Sequence, residues 1–166
     1  MVKWMLSAGV MIVAIGGLYW IRRESSMLDE DLVYAHYQEE VNAVKRLDAK
    51  TLCAAMAKEY RAVDTDPAGK RPDIVLDRDA ACAATREVMQ ALYKVAKASK
   101  TAPDVKYTIE SVTLSPDHRQ ATVKLRTSLS VGRRIKVETS GSEVLIRHMG
   151  EVRSLGSESR TPSKAR

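Results

Sequence analysis

The sequence predicts an α+β domain, with three helices packed on a curved four-stranded antiparallel sheet, carried behind one transmembrane helix. Three observations predict it. Residues 4–21 form one apolar stretch without a charge. Apolar residues then recur at helical spacing as far as Ala98. From Asp104 the period drops to two and holds to Arg160. Helices that precede the strands, rather than alternate with them, gather on one face of an antiparallel sheet. A chain of 166 residues has room for one such domain and an anchor, and excludes a TIM barrel or a two-domain dinucleotide enzyme.

The apolar stretch reads WMLSAGVMIVAIGGLYWI. At the helical rise it spans about 27 Å, close to the hydrocarbon thickness of a bilayer. Trp4 stands at one end and Tyr19 and Trp20 at the other, with Arg22 and Arg23 behind them. Amphipathic rings at both ends suit the two membrane interfaces. A cleaved signal peptide is the alternative, favoured by the short basic start. The bulky Leu18, Tyr19, Trp20 and Ile21 stand where a cleavage site wants small residues. The expectation is an uncleaved anchor over 1–23 in a bacterial-type inner membrane, with the bilayer as partner along 4–21. The positive charges on the two sides nearly tie. Signal-anchor logic favours a periplasmic domain, and a cytoplasm-facing one stays open.

A helix is expected over 27–47, where Leu28, Val33, Tyr37, Val41, Val44 and Leu47 form a stripe. Acidic residues load its start, and Lys45 and Arg46 its end. Asp48 reads as the cap of a second helix over 49–63, with Leu52, Met56, Tyr60 and Val63 inward. A Pro/Gly loop follows, then a short edge strand at Ile74, Val75 and Leu76. Asp77 or Asp79 caps a third helix with Cys82, Thr85, Met89 and Leu92 inward.

Val105, Tyr107 and Ile109 open the strand half, and Ser115 to His118 turn the chain. Ala121, Val123, Leu125, Thr127, Leu129 and Val131 then alternate with polar residues. A third strand is expected over 135–147, bent at Gly141, and a fourth over 151–160 after a tight turn at Met149 and Gly150. The domain is bounded at 24–162, and 163–166 form a basic tail.

The net charge of +6 belongs to the ends. Lys3, Arg22 and Arg23 flank the apolar stretch, and five basic residues meet two acidic ones after residue 146, so 24–146 is neutral. A nucleic-acid binder would gather basic residues on a folded face, and none is expected as a partner.

The pattern resembles the nuclear-transport-factor-2-like superfamily, which includes ketosteroid-isomerase-like and polyketide-cyclase-like proteins. The matching features are the helix from Asp48 to Tyr60, the Pro/Gly loop with its short strand, the third helix, and the strands around Tyr107 to Val112 and Ala121 to Leu125. The resemblance covers about 28–160. It implies a cone-shaped α+β barrel with a pocket between helices and sheet, and a homodimer through the sheet. It implies little chemistry, because such a fold serves enzymes, binding modules and scaffolds alike. Enzymes of that superfamily place an acid–base Asp and Tyr or Asp donors inside the cone. Here Asp104 falls at a rim, and the strand register puts no carboxylate inside, with Tyr107 the only polar tip. Enzymatic activity is therefore not the leading expectation. The pocket candidates are Tyr37, Met56, Tyr60, Met89 and Tyr107, which also suit plain core packing.

His36, His118 and His148 are expected on the surface, unspaced for metal binding, and no metal or cofactor is expected. Cys53 and Cys82 lie on or beside the inner stripes of two helices. A disulfide and two separate buried thiols are both open readings. The solvated sheet face, with Lys124 and Arg126, and Arg133, Arg134 and Lys136 at the strand end, is the candidate interaction face. The expected function is binding or scaffolding by a membrane-anchored extracytoplasmic domain. Small-ligand binding, or isomerase- or cyclase-like activity, in the cone pocket is the alternative.

Overall fold

In the computed structural model, which describes residues 26–69, 72–132 and 135–160, the first helix, α1, runs Glu30–Lys45. Asp29 caps it by accepting a hydrogen bond from the Leu32 N–H at 2.8 Å, a contact typically worth about 1 kcal/mol. Asp48 caps the next helix in the same way through Thr51. That helix, α2, runs only Ala49–Ala54.

The expected helix over 49–63 is corrected at this point. Residues Met56–Thr65 form strand β1. The segment is rich in Ala, Lys, Glu and Arg, all fair helix formers. Tertiary pairing outweighs that preference: β1 pairs antiparallel with β2 (Ile74–Asp77) and parallel with β6 (Glu151–Arg160). The Ala55 carbonyl is already taken by the Ser154 N–H at 2.8 Å. The chain then enters α3 (Arg78–Ser99), capped by Asp77 through Ala80.

The remaining strands are β3 (Asp104–Leu114), β4 (Gln120–Val131) and β5 (Ile135–His148), and with β6 they make the expected antiparallel meander. The sheet has six strands rather than four, in the order β2-β1-β6-β5-β4-β3. Met149 and Gly150, both at positive φ (52° and 87°), make the two-residue turn between β5 and β6. That twist matches the twist of the paired strands. Register shifts interrupt the β3–β4, β5–β6 and β1–β6 ladders, and such bulges bend a sheet.

The core lies between the helices and the inner sheet face. Leu28, Val33 and Tyr37 pack on Ala121, Val123, Leu125 and Leu145. Farther along, Val44 of α1 and Met89 and Leu92 of α3 pack on Val105 and Val131. A disulfide between Cys53 and Cys82 ties α2 to α3 across a sequence separation of 29. A loop of that size corresponds to about 3–4 kcal/mol of chain-entropy stabilisation.

Among the described residues no helix is long and apolar enough to cross a membrane. The expected anchor, with Trp4, Tyr19, Trp20, Arg22 and Arg23, lies outside them, as does the tail at 163–166.

Candidate functional site

Residues one helical turn apart share a helix face, so α1 presents His36, Tyr37 and Glu40 together. On β5, Glu143 is two residues from the fully buried Leu145, and alternation puts both on the inner sheet face. Its neighbours across the ladders are Val123 and Ser157. Tyr107 enters from β3 and Tyr60 from β1.

These side chains meet. The Tyr37 hydroxyl donates to Glu143 Oε2 at 2.8 Å. The Tyr107 hydroxyl reaches the Glu40 carboxyl, and the Tyr37 and Tyr107 rings lie 5.1 Å apart. Tyr60 and Ser157 share a hydrogen bond of 2.8 Å. His36 Nε2 is 3.5 Å from Glu40 Oε1. One ligating atom each from His36, Glu40 and Glu143 lies within 4.8 Å of the others.

Glu40 divides two pockets. One, of about 240 Å³, is lined by Glu40, Glu143, Tyr60, Tyr107, Thr127, Thr139 and the serines of β5 and β6. The other, of about 480 Å³, is bounded by His36, Leu32, Leu52 and Arg153. Gly141 belongs to the first, where β5 and β6 approach so closely that a Cβ would meet the Glu158 carbonyl.

Burial governs the protonation of this group. It pushes the Glu40 carboxyl up to about 8, and the Glu143 charge pushes the same way. Burial also raises Glu143, against the pull of its hydroxyl neighbours. Two adjacent carboxyls in a poorly solvated site resist ionising together, so the pair retains a proton at neutral pH. Desolvation lowers His36 to about 4, so its imidazole is neutral. Burial, and then the nearby carboxylates, raise Tyr37 and Tyr107. Burial raises Tyr60 as well, opposed by its bond to Ser157. The tyrosines therefore act as hydrogen-bond donors.

Three of the expected pocket residues, Tyr37, Tyr60 and Tyr107, converge here. Met56 and Met89 do not. Met56 opens β1, where its carbonyl accepts from Arg78 Nε at 3.3 Å, and Met89 belongs to the core under α3. Two expectations are corrected. Carboxylates do enter the cone, because Glu40 lies one turn past His36 and Glu143 shares the parity of Leu145. His36 is buried, 7% exposed, rather than on the surface, and it is grouped with two carboxylates. His118 and His148 are exposed. On the outer sheet face Lys124, Arg126 and Lys136 are exposed, with Arg126 paired to Glu110 at 3.1 Å and Lys136 to Glu138 at 2.9 Å. Arg133 and Arg134 lie outside the described residues.

No protein-family model and no curated protein matches the chain. Solved structures do. An NTF-2-like protein of unknown function from Shewanella oneidensis MR-1 superposes with a TM-score of 0.61 at 12% identity, covering 80% of this chain and 99% of that one. One from Silicibacter pomeroyi DSS-3 gives 0.56 at 17% identity, covering 79% and 93%. An NTF2-like protein from Cytophaga hutchinsonii gives 0.55 at 11% identity, covering 81% and 99%. The chain therefore has the NTF2-like fold, and identities this low speak to the fold alone.

Proposed function

We propose that this domain is a binding module that takes a small neutral or cationic molecule, rich in hydrogen-bond donors, into the pocket between α1 and the inner sheet face. The observation that carries this reading is the lining. Glu40 and Glu143 supply carboxyls, and Tyr60, Tyr107, Thr127, Thr139 and Ser157 supply hydroxyls. Among the described residues no Lys, Arg or His lines it. An anionic ligand would meet unfavourable charge there, whereas an amine or a polyol would find acceptors. About 240 Å³ suits a molecule at or below the small end of ligand sites.

The reading includes presentation from a membrane through 4–21 on the extracytoplasmic side. The Cys53–Cys82 bridge supports that side, because such bonds persist in oxidising compartments.

The binding test is a thermal-shift panel of size-matched amines, polyols and carboxylates, run on the wild type and on Thr139→Trp, which fills the pocket. Amines or polyols should raise the melting temperature of the wild type only. Equal responses to carboxylates, or responses that survive in Thr139→Trp, would sink the reading.

A further inference from the structure

We propose that His36, Glu40 and Glu143 form a site for one divalent transition-metal ion between α1 and β5. The three side chains present ligating atoms within 4.8 Å of one another. His36 Nε2 and Glu40 Oε1 are 3.5 Å apart. Two ligands of a tetrahedral ion with bonds near 2.0–2.1 Å lie about 3.3 Å apart, so small rotations complete the set. His at i and Glu at i+4 on one helix is a chelating spacing, and β5 supplies the third ligand from across the core.

A second observation points to a ligand independently of the acidic pair. The His36 side chain is only 5% exposed, and its Nε2, directed at Glu40, makes no hydrogen bond. Burying a ring nitrogen without a partner is costly, and a metal bond removes the cost. Among the described residues no Lys or Arg pairs with either carboxylate.

The surroundings resemble an outer coordination shell. Tyr37 donates to Glu143 Oε2, and the Tyr107 hydroxyl reaches Glu40. Such donors orient metal ligands and fix their rotamers. One imidazole nitrogen and two carboxylate oxygens favour zinc, manganese or ferrous iron over the all-oxygen shells of calcium and magnesium. The site shares Glu40 and Glu143 with the proposed ligand pocket and does not require an organic ligand to be bound there.

The test uses the full chain in detergent, stripped with EDTA, dialysed and titrated with cobalt(II) chloride. Visible absorption reads binding, and zinc chloride serves as competitor. One ion per chain should bind, with zinc displacing it. His36→Ala and Glu143→Gln should each weaken binding by at least about tenfold, and Tyr37→Phe should keep the stoichiometry with a weaker affinity. Binding should be unchanged in a chain carrying both His118→Ala and His148→Ala. Circular dichroism of each variant checks that it is folded.

A readout on the unmutated protein removes dependence on variant folding: with ¹⁵N-labelled histidine, zinc should shift the Nε2 resonance of His36 and leave the other two histidines in place. Folded wild type that takes up no cobalt, equal affinity in folded His36→Ala and Glu143→Gln, or an unmoved His36 resonance would each overturn the site. Capture of an amine or polyol by EDTA-treated protein that takes up no cobalt would overturn the metal site while leaving the pocket reading in place.

Discussion

Glu40 and His36 stand one helical turn apart, and burial drives their ionisation in opposite directions. The Glu40 carboxyl rises from an ordinary 4.5 to about 8, so the folded state holds a proton that the unfolded chain gives up. Its contribution is present below 4.5 and is lost as pH rises towards 8. His36 falls from 6.5 to about 4, so its contribution is present above 6.5 and is lost as pH falls towards 4. Between 4.5 and 6.5 the two slopes oppose each other. From 6.5 to 8 the His36 slope is absent and the carboxyl pair acts, Glu40 with Glu143 in the same direction. Metal-free protein kept in EDTA should therefore lose about 2 kcal/mol over that upper window, at 1.36 kcal/mol per unit. Urea unfolding at a series of pH values measures it. Glu40→Gln should flatten the profile above 6.5 and uncover a loss of stability below it. An unchanged fall above 6.5 in Glu40→Gln would show that another group is responsible. The sequence hid both residues for a local reason. His36 and Glu40 flank the Tyr37 position of the apolar stripe, and polar residues beside a stripe ordinarily face water.

Strand β5 carries Glu143 inward by alternation, and two residues earlier, at Gly141, it runs close against β6. Glycine within a strand ordinarily weakens it, so replacement by Ala would normally stabilise by roughly 0.5–1 kcal/mol. Here the sign should reverse. A methyl group at 141 would meet the Glu158 carbonyl and sit 3.0 Å from the Ser159 Cα, both of them backbone. Only separation of the two strands relieves that, at about 1–3 kcal/mol. Gly141→Ala should lower the urea midpoint, while Ser140→Ala, exposed beside it, should not; a neutral Gly141→Ala would show that the strands yield easily. The helices α1 and α3, the hairpin turns and the alternation of β3 and β4 were legible in the sequence, because each is encoded by local periodicity, by turn residues or by a capping Asp; the irregularity expected at this glycine falls instead between Val144 and Leu145 in the β5–β6 ladder. Strand β1 was not legible. Its helix-forming composition is overruled by two partners, β2 and β6, of which β6 is more than 90 residues away in the chain. Tyr60 still entered the pocket, from a strand rather than from a helix.

At the scale of the whole molecule, the Cys53–Cys82 bridge connects the fold to its proposed place outside the cytoplasm. The bridge closes the segment containing β1 and β2, the two strands that extend the meander to six. Removing it should leave the meander and its core intact and cost about 3–4 kcal/mol, read as a lower urea midpoint for the full chain under reducing conditions. The same bond reports location. A domain held by 4–21 on the extracytoplasmic face should carry cysteines that an impermeant maleimide labels, in intact membranes, only after denaturation and reduction. Thiols that label without reduction, and only once the membrane is opened, would put the domain in the cytoplasm, where reducing conditions disfavour the bond. That outcome would remove the extracytoplasmic placement from the proposed function. It would leave the pocket untouched, because Glu40, Glu143 and the tyrosines are positioned by α1 and the sheet. The two parts of the proposal, what the cone binds and where it is presented, therefore stand or fall separately.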